Sequence, residues 1–343
     1  MRPLIIGSLS KVDQYRAALR DLASSEWDPY LKRNSGLPGP RGNLELAWAV
    51  AEEAVPSRIR RYAESADEYL GTCGAIGLGR LLAEGDGGAL VELHRLAADR
   101  RWRVREGVAM ALQRLGDIDR KHMLAVAEMW SKDPSWLVKR AAVAGVCEPR
   151  LLDRPSIVQK VLGILDRATK AVGAASPDQR RLDEFRVLRQ ALGYCWSVAI
   201  AALPATGFDR FEGWSGSADP DVKWIVRENL KKNRLRKADP DRFENLSRVS
   251  DRRQSNTSSR LSPKKSRSGA FRLPDRTRST VSEDPDDCEY DSSGQGQNHQ
   301  ASPEDHLSRP ASISEVDAPG EDPECGGQQN AGPDEHAEIP SFG

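Results

Sequence analysis

An aspartate followed six residues later by a basic side chain, with a bulky group between them, occurs four times in this chain. The copies read Asp99-Arg-Arg-Trp102-Arg-Val104-Arg105, Asp133-Pro-Ser-Trp136-Leu-Val138-Lys139, Asp221-Val-Lys-Trp224-Ile-Val226-Arg227 and the looser Asp183-Glu-Phe-Arg186-Val-Leu188-Arg189. In chain order they lie 34, 50 and 38 residues apart. Self-similarity at such intervals marks stacked repeats: one helical unit cannot bury its apolar face alone, and its neighbours complete the core. The pattern predicts a surface-building architecture whose usual business is holding another macromolecule.

The punctuation between copies supplies the elements. An opening helix is expected over Lys11–Ala23, then a rigid loop at Gly36-Leu-Pro-Gly-Pro-Arg-Gly42, with Asn43 capping the next helix. Helical pairs are expected at Arg58–Glu64 with Asp67–Ala83, Gly88–Ala98 with Trp102–Leu115, and Asp119–Trp130 with Trp136–Val146. Two more follow, Ser156–Val172 with Leu182–Leu203 and Phe208–Trp214 with Trp224–Asn233, with Pro155, Pro177 and Pro204 as breaks. Asn233-Arg-Leu-Arg-Lys237 is the expected polar terminal cap. No stretch alternates with period two, so the fold class is all-α. The expected organisation is a helical cap with a Pro/Gly loop at 1–56, an α-solenoid at 57–243 and a tail at 244–343.

Composition separates the tail from the rest. All eight tryptophans lie between Trp27 and Trp224, and from Asp251 onward Ser, Pro, Gly, Asp and Glu dominate. Such a stretch buries too little apolar surface to offset chain entropy, so it is expected to be disordered. Net charge is zero but segregated. Residues 251–280 hold nine Lys/Arg against two acids, residues 281–343 hold sixteen acids against one base, and residues 1–250 carry +8. An acidic tail beside a basic body suits either electrostatic masking or simple solubility. In the hinge, Arg252-Arg253-Gln-Ser255 and Lys264-Lys265-Ser266-Arg267-Ser268 mix bases with hydroxyls. They read as a solvated linker, or as a polybasic anchor tuned by phosphorylation.

Several classes of chemistry lack their residues. Five cysteines, an odd number without close pairing, suit free thiols and a cytoplasmic setting. No run of 18 apolar residues occurs, so no membrane insertion is expected. His94 and His122 are isolated, and no metal is expected. There is no Walker-type loop, Cys-x-x-Cys or Gly-x-Ser-x-Gly, and Gly74-Ala-Ile-Gly77-Leu-Gly79 sits in a helical pattern rather than after a strand. No cofactor is expected.

The motif itself has a structural reading first. Asp99, Asp133, Asp183 and Asp221 are expected as helix N-caps, each contributing about 1 kcal/mol. Val104, Val108, Ala111, Leu112 and Leu115 then share one helical face, the core. On the same wheel Trp102, Arg105, Trp136, Lys139, Arg140, Arg189, Trp224 and Arg227 line up as a column when units stack. The column either seals seams, its bases pairing with neighbouring caps, or faces a partner as an aromatic–cationic surface. The two can coexist.

The Asp-x-x-x-x-Val-Arg pattern followed by spaced alanines resembles the HEAT repeat, most fully at Asp133-Pro-Ser-Trp-Leu-Val-Lys-Arg-Ala-Ala142. The resemblance implies an α-solenoid of about five helical hairpins, acting as a scaffold or adaptor for a protein or peptide partner, without enzymatic activity. Trp136-Leu-Val-Lys139-Arg140-Ala-Ala-Val143 is also similar to the HEAT-like DNA-alkylation-repair glycosylases. That similarity implies nucleic acid as an alternative partner, with Trp102, Trp136 and Trp224 lining a cleft and Arg105, Lys139, Arg140 and Arg227 near phosphates. No residue is assigned to catalysis, since each candidate aspartate is accounted for as a cap.

Overall fold

A computed structural model describes residues 10–39 and 41–260, and every regular element among them is helical. The chain opens with α1 (Lys11–Asp21), α2 (Trp27–Asn34) and α3 (Leu44–Glu53). Five helical pairs follow: α4 (Pro56–Ala63) with α5 (Glu68–Ala83), α6 (Gly88–Leu96) with α7 (Trp102–Ile118), and α8 (Arg120–Trp130) with α9 (Trp136–Val146). Then come α10 (Pro155–Gly173) with α11 (Asp183–Ala202), and α12 (Pro204–Ser215) with α13 (Pro220–Leu230). A short α14 (Asn233–Ala238) and a long α15 (Pro240–Arg260) close the described residues.

The pairs stack in two layers. Helices α3, α5, α7, α9, α11 and α13 pack side by side along their lengths, while α4, α6, α8, α10 and α12 cover one face of that row and touch each other sparsely. The row α3, α5, α7, α9, α11 and α13 is the more closely packed of the two and is called the inner layer. This is an all-α solenoid of HEAT-like pairs, as the repeats imply.

The inner row is close because its helices carry small residues where they meet. A side chain at Gly79 would overlap the backbone of Ala111 in α7, and one at Gly74 the backbone of Ala63 in the covering helix α4. Their helix-propensity cost, about 1 kcal/mol each, is offset by burying α5 on every side. From Tyr69 to Gly79 no residue of α5 is open to solvent. The face left over is closed by Arg114 of α7, which reaches across α5 to Glu52 of α3 at 2.7 Å.

The aspartates of the motif do not cap the helices. Asp99 and Asp133 each sit two residues ahead of the cap and accept from the backbone N–H of Arg101 and Ser135, both at 2.8 Å. The caps themselves are Arg101, whose side chain makes no capping bond, and Ser135, whose hydroxyl accepts from the N–H of Val138. Asp183 is the exposed first residue of α11 and pairs with Arg186. Asp221 lies inside the first turn of α13, which Asp219 caps. An aspartate two positions early still folds the chain back on itself, so composition alone cannot separate that turn from a cap.

The register corrects the copy count. Aligned on their caps, Asp67, Arg101, Ser135 and Asp219, the inner helices bring Leu70, Val104, Val138 and Val222 to one buried position. On that alignment Trp102 and Trp136 are equivalent, whereas Trp224 falls one turn later, level with Glu106 and Arg140. Only the copies at 99 and 133 are true repeats of one another. The expected start of the tail at 244 also shifts, because α15 runs through it and buries Phe243 and Leu246. The N-terminal nine residues and the segments from 261 onward, including most of the basic hinge and all of the acidic tail, lie outside the described residues.

Candidate functional site

The inner layer between α7 and α13 gathers the tryptophans and most of the bases that the motif singles out. The first two copies explain the six-residue spacing. Arg105 reaches back to donate to the carbonyl of Asp99 at 2.7 Å and that of Arg100 at 3.0 Å. Lys139 donates to the carbonyl of Asp133 in the same way. In each unit the base therefore fastens the turn that the aspartate begins. The aspartates add links between units: Asp99 binds the guanidinium of Arg101, which donates to the carbonyl of Ser65 at 2.6 Å, and Asp133 meets His94 of α6 at 2.7 Å.

Burial marks these bases as structural. Lys139 is only 8% exposed, and that burial pulls its ammonium below the usual lysine range. Burial does the same to Arg105, with the nearby charge of Arg140 as the next cause. The hydrogen bonds from Arg101 hold the Asp99 carboxyl below its ordinary range. Arg140 spans to Glu106 of α7, and Arg189 of α11 spans to Asp221 of α13 at 2.6 Å. Of the expected column, Arg227 alone stands exposed with no partner among the described residues.

Each tryptophan carries a cation held from its far side. Arg103 lies 4.5 Å over Trp102 while pairing with Glu68 of α5 at 2.9 Å. Lys139 lies 5.0 Å from the Trp136 ring, whose edge meets Phe185 of α11 at 5.3 Å. Arg189 lies 4.5 Å over Trp224, and that ring covers Gly193 of α11 so closely that a methyl there would collide. Trp136 and Trp224 thus seal the seams on either side of α11. Trp102 is 46% exposed.

The structure brings together Trp102, Arg105, Trp136, Lys139 and Arg140 on α7 and α9, and Arg189 with Trp224 across α11 and α13. It leaves Arg227 outside the group. Sequence reasoning missed Arg103, whose counterpart in the next unit is Leu137, because repeats cannot flag an unrepeated residue. It also missed the carboxylates Glu68 and Glu106, which occupy the slots that neutralise the bases. Among the described residues no cluster of three metal-ligating side chains occurs, and no helix is long and apolar enough to cross a membrane. Cys73, Cys147 and Cys195 are free and buried.

No protein-family model matches the chain, and no curated protein does. Solved structures with a related outline include AlkD2 from Streptococcus mutans, 16% identical, covering 61% of this chain and 98% of that one with a TM-score of 0.48. A second is smu.31 from Streptococcus mutans UA159, 17% identical over 64% of this chain and 97% of that one, TM-score 0.45. A third is the designed armadillo repeat protein YIII(Dq)4CqI, 18% identical over 65% and 99%, TM-score 0.32. These are likenesses of stacked-helix architecture and say nothing of ligand or activity.

Proposed function

We propose that the protein is a binding scaffold that holds a segment of a protein partner on the inner layer, from Trp102 on α7 towards Trp224 on α13. The observation that supports this most is the set of three tryptophans whose cations are already fixed, Arg103 and Arg189 by carboxylates of adjacent inner helices and Lys139 by the carbonyl of Asp133 in its own turn. Aromatic and arginine groups dominate binding energy at protein interfaces. Holding them in place beforehand removes the ordering cost that association otherwise carries. Trp102, the most exposed of the three, is the expected anchor.

A second reading, nucleic acid on the same layer, is favoured by one observation: residues 101–250 hold 28 Lys/Arg against 19 acids, a balance of +9. Against it, Arg105, Lys139, Arg140 and Arg189 are already bonded within the chain, which leaves few of them for phosphates.

A peptide library displayed on phage and selected on the full chain separates the two. The expected result is an enriched peptide family whose affinity falls at least tenfold in Trp102→Ala. That affinity should change little between 50 and 200 mM salt, a range over which six to ten phosphate contacts lose roughly 10³–10⁵ in affinity. Failure to enrich any family, or tight binding of a 20-base-pair duplex with that steep salt dependence, overturns the reading.

A further inference from the structure

The cations of this chain are neutralised unevenly, and those without a carboxylate are densest at the end of the stack. Along most of the solenoid arginines face carboxylates of neighbouring units: Arg60 meets Asp86 and Glu92, Arg103 meets Glu68, Arg114 meets Glu52 and Arg140 meets Glu106. Residues 223–237, most of α13 and α14, hold seven bases and one acid, while Asp219 and Asp221 just before them are already engaged by Arg180 and Arg189. Among the described residues Lys231 alone of these seven pairs with a carboxylate, that of Glu228 at 2.7 Å. Seven like charges with one counter-charge repel each other, which favours binding of an anion there. A capping helix needs to be polar, but mixed charges would serve that purpose better.

The geometry of the cluster gives it a readable pattern. Lys223, Arg227 and Lys231 recur every fourth residue, one stripe along α13 and onto its C-cap, with a step of about 6 Å. An extended polypeptide presents side chains on one side every second residue, at about 6.6–6.8 Å. Alternate carboxylates of an extended acidic segment therefore match the stripe. The aromatic rings beside α14, on α11 and α15, are already occupied by its arginines. Arg234 lies 4.6 Å over Tyr194 and donates to its hydroxyl at 2.7 Å, and Arg236 lies 5.1 Å over Phe243. Cations, rather than open ring faces, are what this surface offers, whereas single-stranded nucleic acid is held by rings on which bases stack.

We propose that α13 and α14 form a second binding surface, which takes an Asp/Glu-rich segment of a protein partner. It uses none of the tryptophan-bound cations, so it stands or falls separately from the inner-layer reading. Arg227, which sequence reasoning assigned to the tryptophan column, belongs to this surface instead.

The test is fluorescence anisotropy on the full chain with two labelled probes, a 20-residue poly-glutamate peptide and an oligo-dT of 20 nucleotides. The expected result is peptide binding that weakens at least tenfold in Lys223→Glu/Arg227→Glu/Lys237→Glu. These three side chains make no pair among the described residues, so circular dichroism and melting temperature should stay unchanged. A control, Arg95→Glu/Lys121→Glu/Lys160→Glu on the outer layer, removes the same charge and should leave peptide binding within twofold. Absence of peptide binding, equal loss in both triple variants, or tighter binding of oligo-dT through the same three residues overturns the proposal.

Discussion

At Asp28 one carboxylate gathers the guanidinium of Arg61 at 2.8 Å and the hydroxyl of Tyr62 at 2.7 Å, tying α2 to α4. The Arg61 bond is the main cause that brings the Asp28 carboxyl down to about 2. A carboxyl whose folded value lies below its unfolded value stabilises the fold fully above the unfolded value, near 3.8, and loses that contribution as pH falls towards 2. Asp28→Asn should therefore lower the melting temperature at pH 7 and converge with the parent as pH falls from 4 to 2. A constant gap across that range would show that Asp28 acts through packing alone. A different kind of residue effect is expected at Gly79, where the Ala111 backbone leaves no room for a methyl. Gly79→Ala should destabilise by about 1–3 kcal/mol in denaturant unfolding through overpacking, despite the better helix propensity of alanine. A stabilised variant would mean that α5 and α7 can separate at little cost.

At the scale of the element, the inner helices are joined by arginine–carboxylate links one repeat apart, as between Arg140 of α9 and Glu106 of α7. Both groups are partly buried, so a double-mutant cycle on Arg140→Ala and Glu106→Ala should give a coupling of about 0.5–3 kcal/mol. Coupling near zero would reduce the link to a solvent-screened surface pair. How far such elements were legible in the sequence depended on what each side chain had to do. The helical pairs, their number and the core face of α7 were readable, because apolar spacing and prolines follow from helix geometry alone. The register of α13 was not. Asp221 and Arg227 reproduce the motif by spacing, yet Asp219, followed by Pro220 at the first helical position, is the true start signal. The burial of Lys139 was equally hidden, since a lysine on a helix flank reads as solvated until its carbonyl partner is known.

For the whole molecule, charge is distributed by region: the body beyond residue 100 and the segment 251–280 are basic, and residues 281–343 carry −15. Removing 281–343 should shift elution from heparin to higher salt, because a net charge of zero becomes +15. An unchanged position would show that the acidic segment does not screen the basic ones. The repeats also set what substitutions in the tryptophan column mean. Arg105 and Lys139 fasten turns, so reversing their charge tests folding rather than binding. Trp102 and the unpaired bases of α13 are where binding can be tested without disturbing the stack.

The motif works as a fastening only in its copies at 99 and 133. Denaturant unfolding of Lys139→Ala and Arg227→Ala, followed by circular dichroism, tests it most directly. The expected loss is about 1–3 kcal/mol at Lys139, where a part-buried carbonyl loses its donor, against a change within about 0.5 kcal/mol at exposed Arg227. Equal losses at the two positions would contradict it.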